Sequence, residues 1–332
     1  MRVNSPLFSG EKDGEQRAPQ SAESFRGSSG GPPSAWHGWS HPEAGNTESG
    51  EMPLTSIVDE YVDSRDLCHN YRRHLMRTAE SMASFGITSV ADLTPHLVTR
   101  WLDSLACSKA TKSNYRRQAL TIIRAALGPG CANFIEGVRR VKHSVPPPVA
   151  WSEKELERLL EAAGGMTRTL ASGCPASLFF RAWILTGYFT GLRFSDELHL
   201  KVSQLRGDRL HHVISKTSQP YVKVLNQEVV DLLRQLADHP ANLDGKTFFS
   251  WALKEHWLRV WFRRLCKQAG LEGTPKWLRR SGATACEAQS PGSASRYLAH
   301  RSPELALKYY VDASLLPDAM PTPPRLQHKR VS

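Results

Sequence analysis

The chain has 332 residues, of which 40% are hydrophobic, and its 43 Lys and Arg outnumber 32 Asp and Glu for a formal net charge of +11. That length corresponds to about two domains, each able to bury a core. No membrane-spanning segment is expected, because the most apolar stretch, Leu178 to Leu192, is short and broken by Arg181.

The charge is uneven. Residues 1–52 hold four basic and seven acidic residues, a balance of −3, so residues 53–332 carry +14. A compact body with that excess attracts polyanions such as nucleic acid or an anionic membrane. Within residues 1–52, 22 positions are Gly, Pro or Ser, a composition that predicts a mobile tail. Its start, Met1-Arg-Val-Asn-Ser5, lacks the apolar run of a secretory signal. Six cysteines at 68, 107, 131, 174, 266 and 286 form no CxxC and no Cys/His pair at zinc spacing. They read as reduced thiols of a cytoplasmic protein and argue against a disulfide scaffold and a structural zinc.

From Leu54 to about Val141 the pattern is helical. Ile57–Val62, Tyr71–Arg77 and Leu97–Leu102 show three- and four-residue apolar spacing, and Thr94-Pro95 places a cap before a proline at the first helical position. Thr111 to Leu127 is the clearest helix, with Tyr115, Ala119, Ile122, Ile123 and Ala126 in one stripe and Gly128-Pro129-Gly130 as its stop. Val145-Pro-Pro-Pro-Val149 is a stiff spacer, which sets domains at 53–145 and 151–315 with 146–150 between them and a tail over 316–332. Ser152-Glu-Lys-Glu155 is a capping box. Helical stretches then continue, interrupted at Asp208 to Leu225 by a β-hairpin that turns at Lys216–Pro220.

Four separated elements of the second domain carry chemistry. They are Thr190-Gly-Leu-Arg193-Phe-Ser-Asp196, the hairpin with Lys216, Lys276-Trp-Leu-Arg279-Arg-Ser-Gly-Ala-Thr284, and Leu298-Ala-His300 through Tyr309-Tyr310. Two arginines from different helices can fork onto one phosphodiester and neutralise the charge of a pentavalent transition state. A hairpin lysine can protonate a leaving oxygen, and a tyrosine becomes a useful nucleophile beside cations that favour its phenolate. No carboxylate cluster for Mg²⁺ accompanies them, which counts against a two-metal nuclease. His211-His212 has no third ligand in sight and is assigned no metal.

In this order the four elements resemble the tyrosine recombinases, the phage integrase and Xer-type superfamily. The resemblance covers about residues 54–315, and residues 57–127 look like that family's helical core-binding domain. It implies two mainly α domains, the second with a small antiparallel hairpin or sheet, which clamp duplex DNA. It further implies catalytic roles for Arg193, Lys216, Lys276, Arg279, His300 and Tyr309, with Asp196 in the first arginine box. Tyr309 lies nine residues beyond His300, as the family's nucleophile does; Tyr310 is a rival. The chemistry would be strand cleavage through a 3′-phosphotyrosyl link, without metal, ATP or other cofactor, by four protomers assembled on two DNA sites. Lys109, Lys112, Arg116 and Arg117, and also Arg280 and Arg301, are expected to contact DNA. Two departures stand out. Lys276 occupies a place where the family usually has histidine, and Ala299 one where it has glycine, a mild change if the position is ordinary helix or turn. Alternatives are a type IB topoisomerase-like enzyme and a DNA-binding regulator, or relic of a mobile element, that no longer cuts.

Overall fold

The computed structural model describes residues 51–300 and 302–317. The expected tail over 1–52 and the terminal stretch 316–332 lie outside the described residues except for two positions each, and Arg301 lies outside them too. The chain divides into two compact units, the first ending at His143 and the second starting at Ser144.

The first unit is helical: α1 (Leu54–Asp63), α2 (His69–Ser84), α3 (Pro95–Ser104), α4 (Lys109–Leu127) and α5 (Ala132–Gly137). Thr94 caps α3 as the sequence predicts, its side chain accepting from the Leu97 N–H. Helix α4 begins two residues earlier than the apolar spacing indicates, because Ser108 accepts from the Thr111 N–H and draws Lys109 into the first turn. Ala119, Ile122 and Ile123 of the predicted stripe are buried, whereas Tyr115 and Ala126 are only partly covered. The core they join is built from Leu54, Val58, Leu75, Met82 and Trp101. Gly128, at φ +65°, ends α4.

The second unit continues with α6 (Glu153–Gly164), α7 (Ala176–Thr190), α8 (Phe194–Leu198), β1 (Leu205–Arg206), β2 (Arg209–Ile214), β3 (Gln219–Val224), α9 (Gln227–Ala237), α10 (Glu255–Gln268), α11 (Pro275–Gln289), α12 (Ser293–Tyr297) and α13 (Pro303–Tyr310). Both halves of the Ser152/Glu155 capping box form at the start of α6. The predicted hairpin is β2–β3, paired from Arg209 opposite Val224 to Ile214 opposite Gln219, and β1 adds a short third antiparallel strand. The fold is mainly α with one small antiparallel sheet.

Helix α7 is apolar on most of its circumference and becomes the centre of the unit. Phe179, Phe180, Trp183 and Ile184 are fully buried against Phe249 and Phe262 from later elements. Removing each such ring from water contributes about 1.5–3 kcal/mol. A smaller apolar cluster, Ala283, Ala294, Tyr297, Leu298, Ala306 and Val311, ties together α11, α12, α13 and the residue that follows. The chemistry-bearing residues ride on these elements.

Candidate active site

Gly191 sets the first arginine in place. It ends α7 in the left-handed conformation, φ +61°, and a Cβ there would fall 2.4 Å from the Tyr297 ring. The chain then turns, and Arg193 becomes the N-cap residue of α8. Asp196, nearly fully buried on α8, has Oδ2 3.9 Å from Arg193 Nη1, and its Oδ1 accepts from Ser215 Oγ at 2.5 Å and Ser215 N at 3.3 Å. His212 Nε2 stands 3.8 Å from the same oxygen. Burial alone would raise the Asp196 carboxyl, but His212 and Ser215 outweigh it and hold the group below its ordinary value. Asp196 therefore fastens the base of the β2–β3 turn, whose next residue is Lys216, to the helix that starts at Arg193.

Arg279 is 4% exposed on α11. Nη1 donates to the Gly191 carbonyl, and Nη2 donates to the Leu298 carbonyl at 3.3 Å and to His300 Nε2 at 3.0 Å. A buried guanidinium stays charged only with such partners. Gly282, one turn on, makes this depth attainable, since a Cβ there would meet Tyr297 Oη at 2.0 Å and the Tyr188 carbonyl at 2.3 Å.

His300 follows a Schellman closure of α12, in which Ala299 N–H donates to the Arg296 carbonyl and His300 N–H to that of Ser295. This closure requires a left-handed residue, and Ala299 stands at φ +50°. The position is thus not ordinary helix or turn, and the condition under which alanine would be mild is not met. Burial, and then the charges of Arg279, Arg193 and Lys216, push the imidazole down to about 4. Arg193, Lys216, Arg279 and His300 thus share one electrostatic neighbourhood.

The two tyrosines ending α13 differ in surroundings. Tyr310 lies with its ring centroid 4.9 Å from that of His300, 4.9 Å from Arg279 Cζ and 5.5 Å from Lys276 Nζ. Tyr309 has Lys308 Nζ 5.5 Å from its ring. The structure thus gathers Lys276, Arg279 and His300 around Tyr310, one residue past the position that spacing from His300 selects. Counting from His300 could not reveal this, because residue spacing does not give the turn of the helix on which the two tyrosines stand.

The expected DNA-contact residues separate into two kinds. Arg116 donates at 2.9 Å to the carbonyls of Arg139 and Val138, which engages its guanidinium within the first unit, and Lys112 donates to the Asp103 carbonyl. Arg280 is half-buried, with Nη1 donating to the Val149 carbonyl. Lys109 and Arg117 are exposed. Trp277 packs 5.4 Å from Trp151, the core role its position beside Arg279 suggests. Among the described residues no group of three or more His, Cys, Asp or Glu could hold a metal ion, and no helix is long and apolar enough to cross a membrane.

Fold and cluster together define a mainly helical domain with an anion-attracting centre formed by residues distant in sequence. Residues 151–315 match the family model described as "Phage integrase family". The chain belongs to this family, the tyrosine recombinases. A search of the curated proteins found no significant match. Among solved structures the chain is similar to a lambda integrase dimer bound to a COC′ core site, at 20% identity and a TM-score of 0.66 over 81% of this chain and 99% of that one. It is also similar to the Tn1549 transposon integrase in complex with transposon right end DNA (16% identity, TM-score 0.62, 80% and 96% covered). A third likeness is to the XerH site-specific recombinase bound to difH substrate (18%, TM-score 0.57, 76% and 80%). At these identities the likeness shows the fold.

Proposed function

We propose that this protein is a site-specific DNA recombinase of the integrase type, cleaving and rejoining strands through a 3′-phosphotyrosyl intermediate. The observation that carries the reading is the fixing of Arg279 by two carbonyls and His300, in a neighbourhood shared with Arg193 and Lys216. A phosphodiester seated there meets two forked cations, which stabilise the extra negative charge of a phosphorane. A tyrosine at the end of α13 attacks phosphorus, Lys216 protonates the departing 5′ oxygen, and a 5′-hydroxyl from a second duplex reverses the step. Lys276 contributes a further donor to the phosphate. One phosphodiester is exchanged for another, so the reaction is nearly isoenergetic and asks for neither ATP nor a metal.

Duplex DNA is the partner in this reading, and the positive excess of residues 53–332 supports it. The DNA-bound lambda integrase, Tn1549 integrase and XerH structures support the same partner, and a lambda integrase tetramer bound to a Holliday junction supports assembly of four protomers on two sites. Lys109 and Arg117 are the better placed of the proposed phosphate contacts, since their side chains are exposed. A nicked suicide duplex, which loses its short 5′-hydroxyl fragment after cleavage, tests the reading. The expected result is a protein–DNA adduct that survives denaturation. The second reading, a DNA-binding regulator that no longer cuts, rests on Lys276 in the usual histidine position, and it expects tight DNA binding without any adduct.

A further inference from the structure

Spacing from His300 selects Tyr309, whereas the packing at the end of α13 favours its neighbour. We propose that Tyr310 is the nucleophile and that Tyr309 stands outside the reacting set. The proposal rests on the recombinase reading above.

Three residues that would hold the phosphate, Lys276, Arg279 and His300, approach the Tyr310 ring to within 5.5 Å. Arg279 is held in place, because Nη1 and Nη2 donate to the Gly191 and Leu298 carbonyls. The register of α13 is fixed at both ends as well. Ser302 caps it through the Leu305 N–H at 3.3 Å, and Ala306 is fully buried in the small apolar cluster. Beyond the helix Val311 is buried, the Asp312 N–H donates to Thr284 Oγ1 at 2.9 Å, and Asp312 Oδ2 accepts from the Ala150 N–H at 2.9 Å. Bringing Tyr309 to the place of Tyr310 would turn the helix by roughly 100°, one residue's rotation. That turn would withdraw Ala306 from its cluster and pull Val311 and Asp312 from their anchors.

The chemistry follows from the surroundings. The cations beside the Tyr310 ring offset the negative charge carried through the attack on phosphorus. The Tyr310 hydroxyl gives its proton to solvent water, to which the half-buried residue is open. Its oxygen forms a bond to phosphorus, the bond from phosphorus to the 5′ oxygen breaks, and Lys216 supplies the proton that oxygen takes up.

The test uses the full chain and nicked duplexes with a randomised core, enriched for those the protein retains. The trapped adduct is digested with trypsin, which cuts after Lys308 and leaves Tyr309 and Tyr310 at the start of one peptide, where fragmentation tells them apart. The expected label is on Tyr310. Tyr310→Phe keeps the ring in its packing and should lower adduct formation by at least about 10⁴-fold, as loss of a nucleophile does. Tyr309→Phe should stay within about threefold, as a change outside the site does. A label on Tyr309, or an undiminished adduct in Tyr310→Phe, overturns the assignment and leaves the recombinase reading standing. Wild type that binds the duplexes but forms no adduct overturns both.

Discussion

Arg279 Nη2 donates to His300 Nε2 at 3.0 Å, and this contact decides where the imidazole keeps its proton. A guanidinium has no acceptor, so Nε2 must accept, and the neutral ring carries its hydrogen on Nδ1. Nδ1 is buried and has no hydrogen-bond partner among the described residues. His300 therefore holds an unspent donor within the cation cluster, in a ring that burial and neighbouring charges keep neutral down to about pH 4.

The stability of the folded chain should report this. An unfolded histidine titrates near 6.5. Between about 4 and 6.5 the unfolded chain binds the proton that native His300 refuses, so acidification through that window destabilises the fold. The carboxyls of Asp196 and Asp312 are lowered instead, and their contributions are lost only as pH falls below the ordinary aspartate value. Urea unfolding of His300→Asn between pH 7 and pH 4.5 should show a shallower loss than wild type. Equal slopes would mean that His300 titrates as it does in the unfolded chain.

Ala299 gives a second prediction. At φ +50° an L-residue carries about 1–2 kcal/mol of strain, while glycine loses more chain entropy on folding. Ala299→Gly should therefore stabilise by about 0.5–1 kcal/mol in chemical denaturation. The gain should leave adduct formation nearly unchanged, because His300 is placed by backbone hydrogen bonds that glycine also makes. A destabilised Ala299→Gly would contradict the strain argument.

The helices and the hairpin were legible because their signals are local: apolar spacing along α4, the Thr94 and Ser152 caps, and alternation in β2 and β3. Arg193, Lys216, Arg279 and His300 were legible as separate motifs, and the structure places them in one neighbourhood. What stayed hidden depends on long-range geometry. The Asp196–Ser215 contact joins a helix to a hairpin tip, and the burial of Arg279 depends on space left by Gly191 and Gly282. The placing of Tyr310 depends on Ala306 and Asp312 fixing the turn of a short helix. Arg116 illustrates the reverse case. Its position in a basic run suggests a phosphate contact, whereas its donors close onto the chain at 138–139.

Asp196 supplies the third prediction. It is a positioning residue, since its contacts go to Ser215 and His212 and, at 3.9 Å, to Arg193. Ser215→Ala removes one hydroxyl and should cost about 1 kcal/mol. Asp196→Ala leaves Arg193 and His212 without their carboxylate and should cost about 3–5 kcal/mol. Both should slow adduct formation more than they weaken DNA binding, because the residue displaced is Lys216, the proton donor to the leaving oxygen in the proposed reaction. In a double-mutant cycle the pair should couple by about 0.5–3 kcal/mol. Additive effects would place Lys216 independently of Asp196.

Lys276 is the chain's sharpest departure from its family, and the structure gives it a definite neighbour in the Tyr310 ring. Exposed at the start of α11, its ammonium offers a phosphate three donors and no acceptor. If donation is its whole contribution, Lys276→His should retain cleavage at neutral pH. Lys276→Ala should cut about 10²–10³-fold more slowly, the usual cost of one lost transition-state donor. Arg279→Ala should be worse, for it removes a forked, permanent charge and strands the Gly191 and Leu298 carbonyls that now accept from it. Adduct yields for the three variants, measured beside wild type on the same trapped duplexes, rank these effects. A Lys276→Ala variant that cut at the wild-type rate would make the lysine a bystander. An inactive wild type that gained activity on Lys276→His would show instead that the substitution had silenced the enzyme.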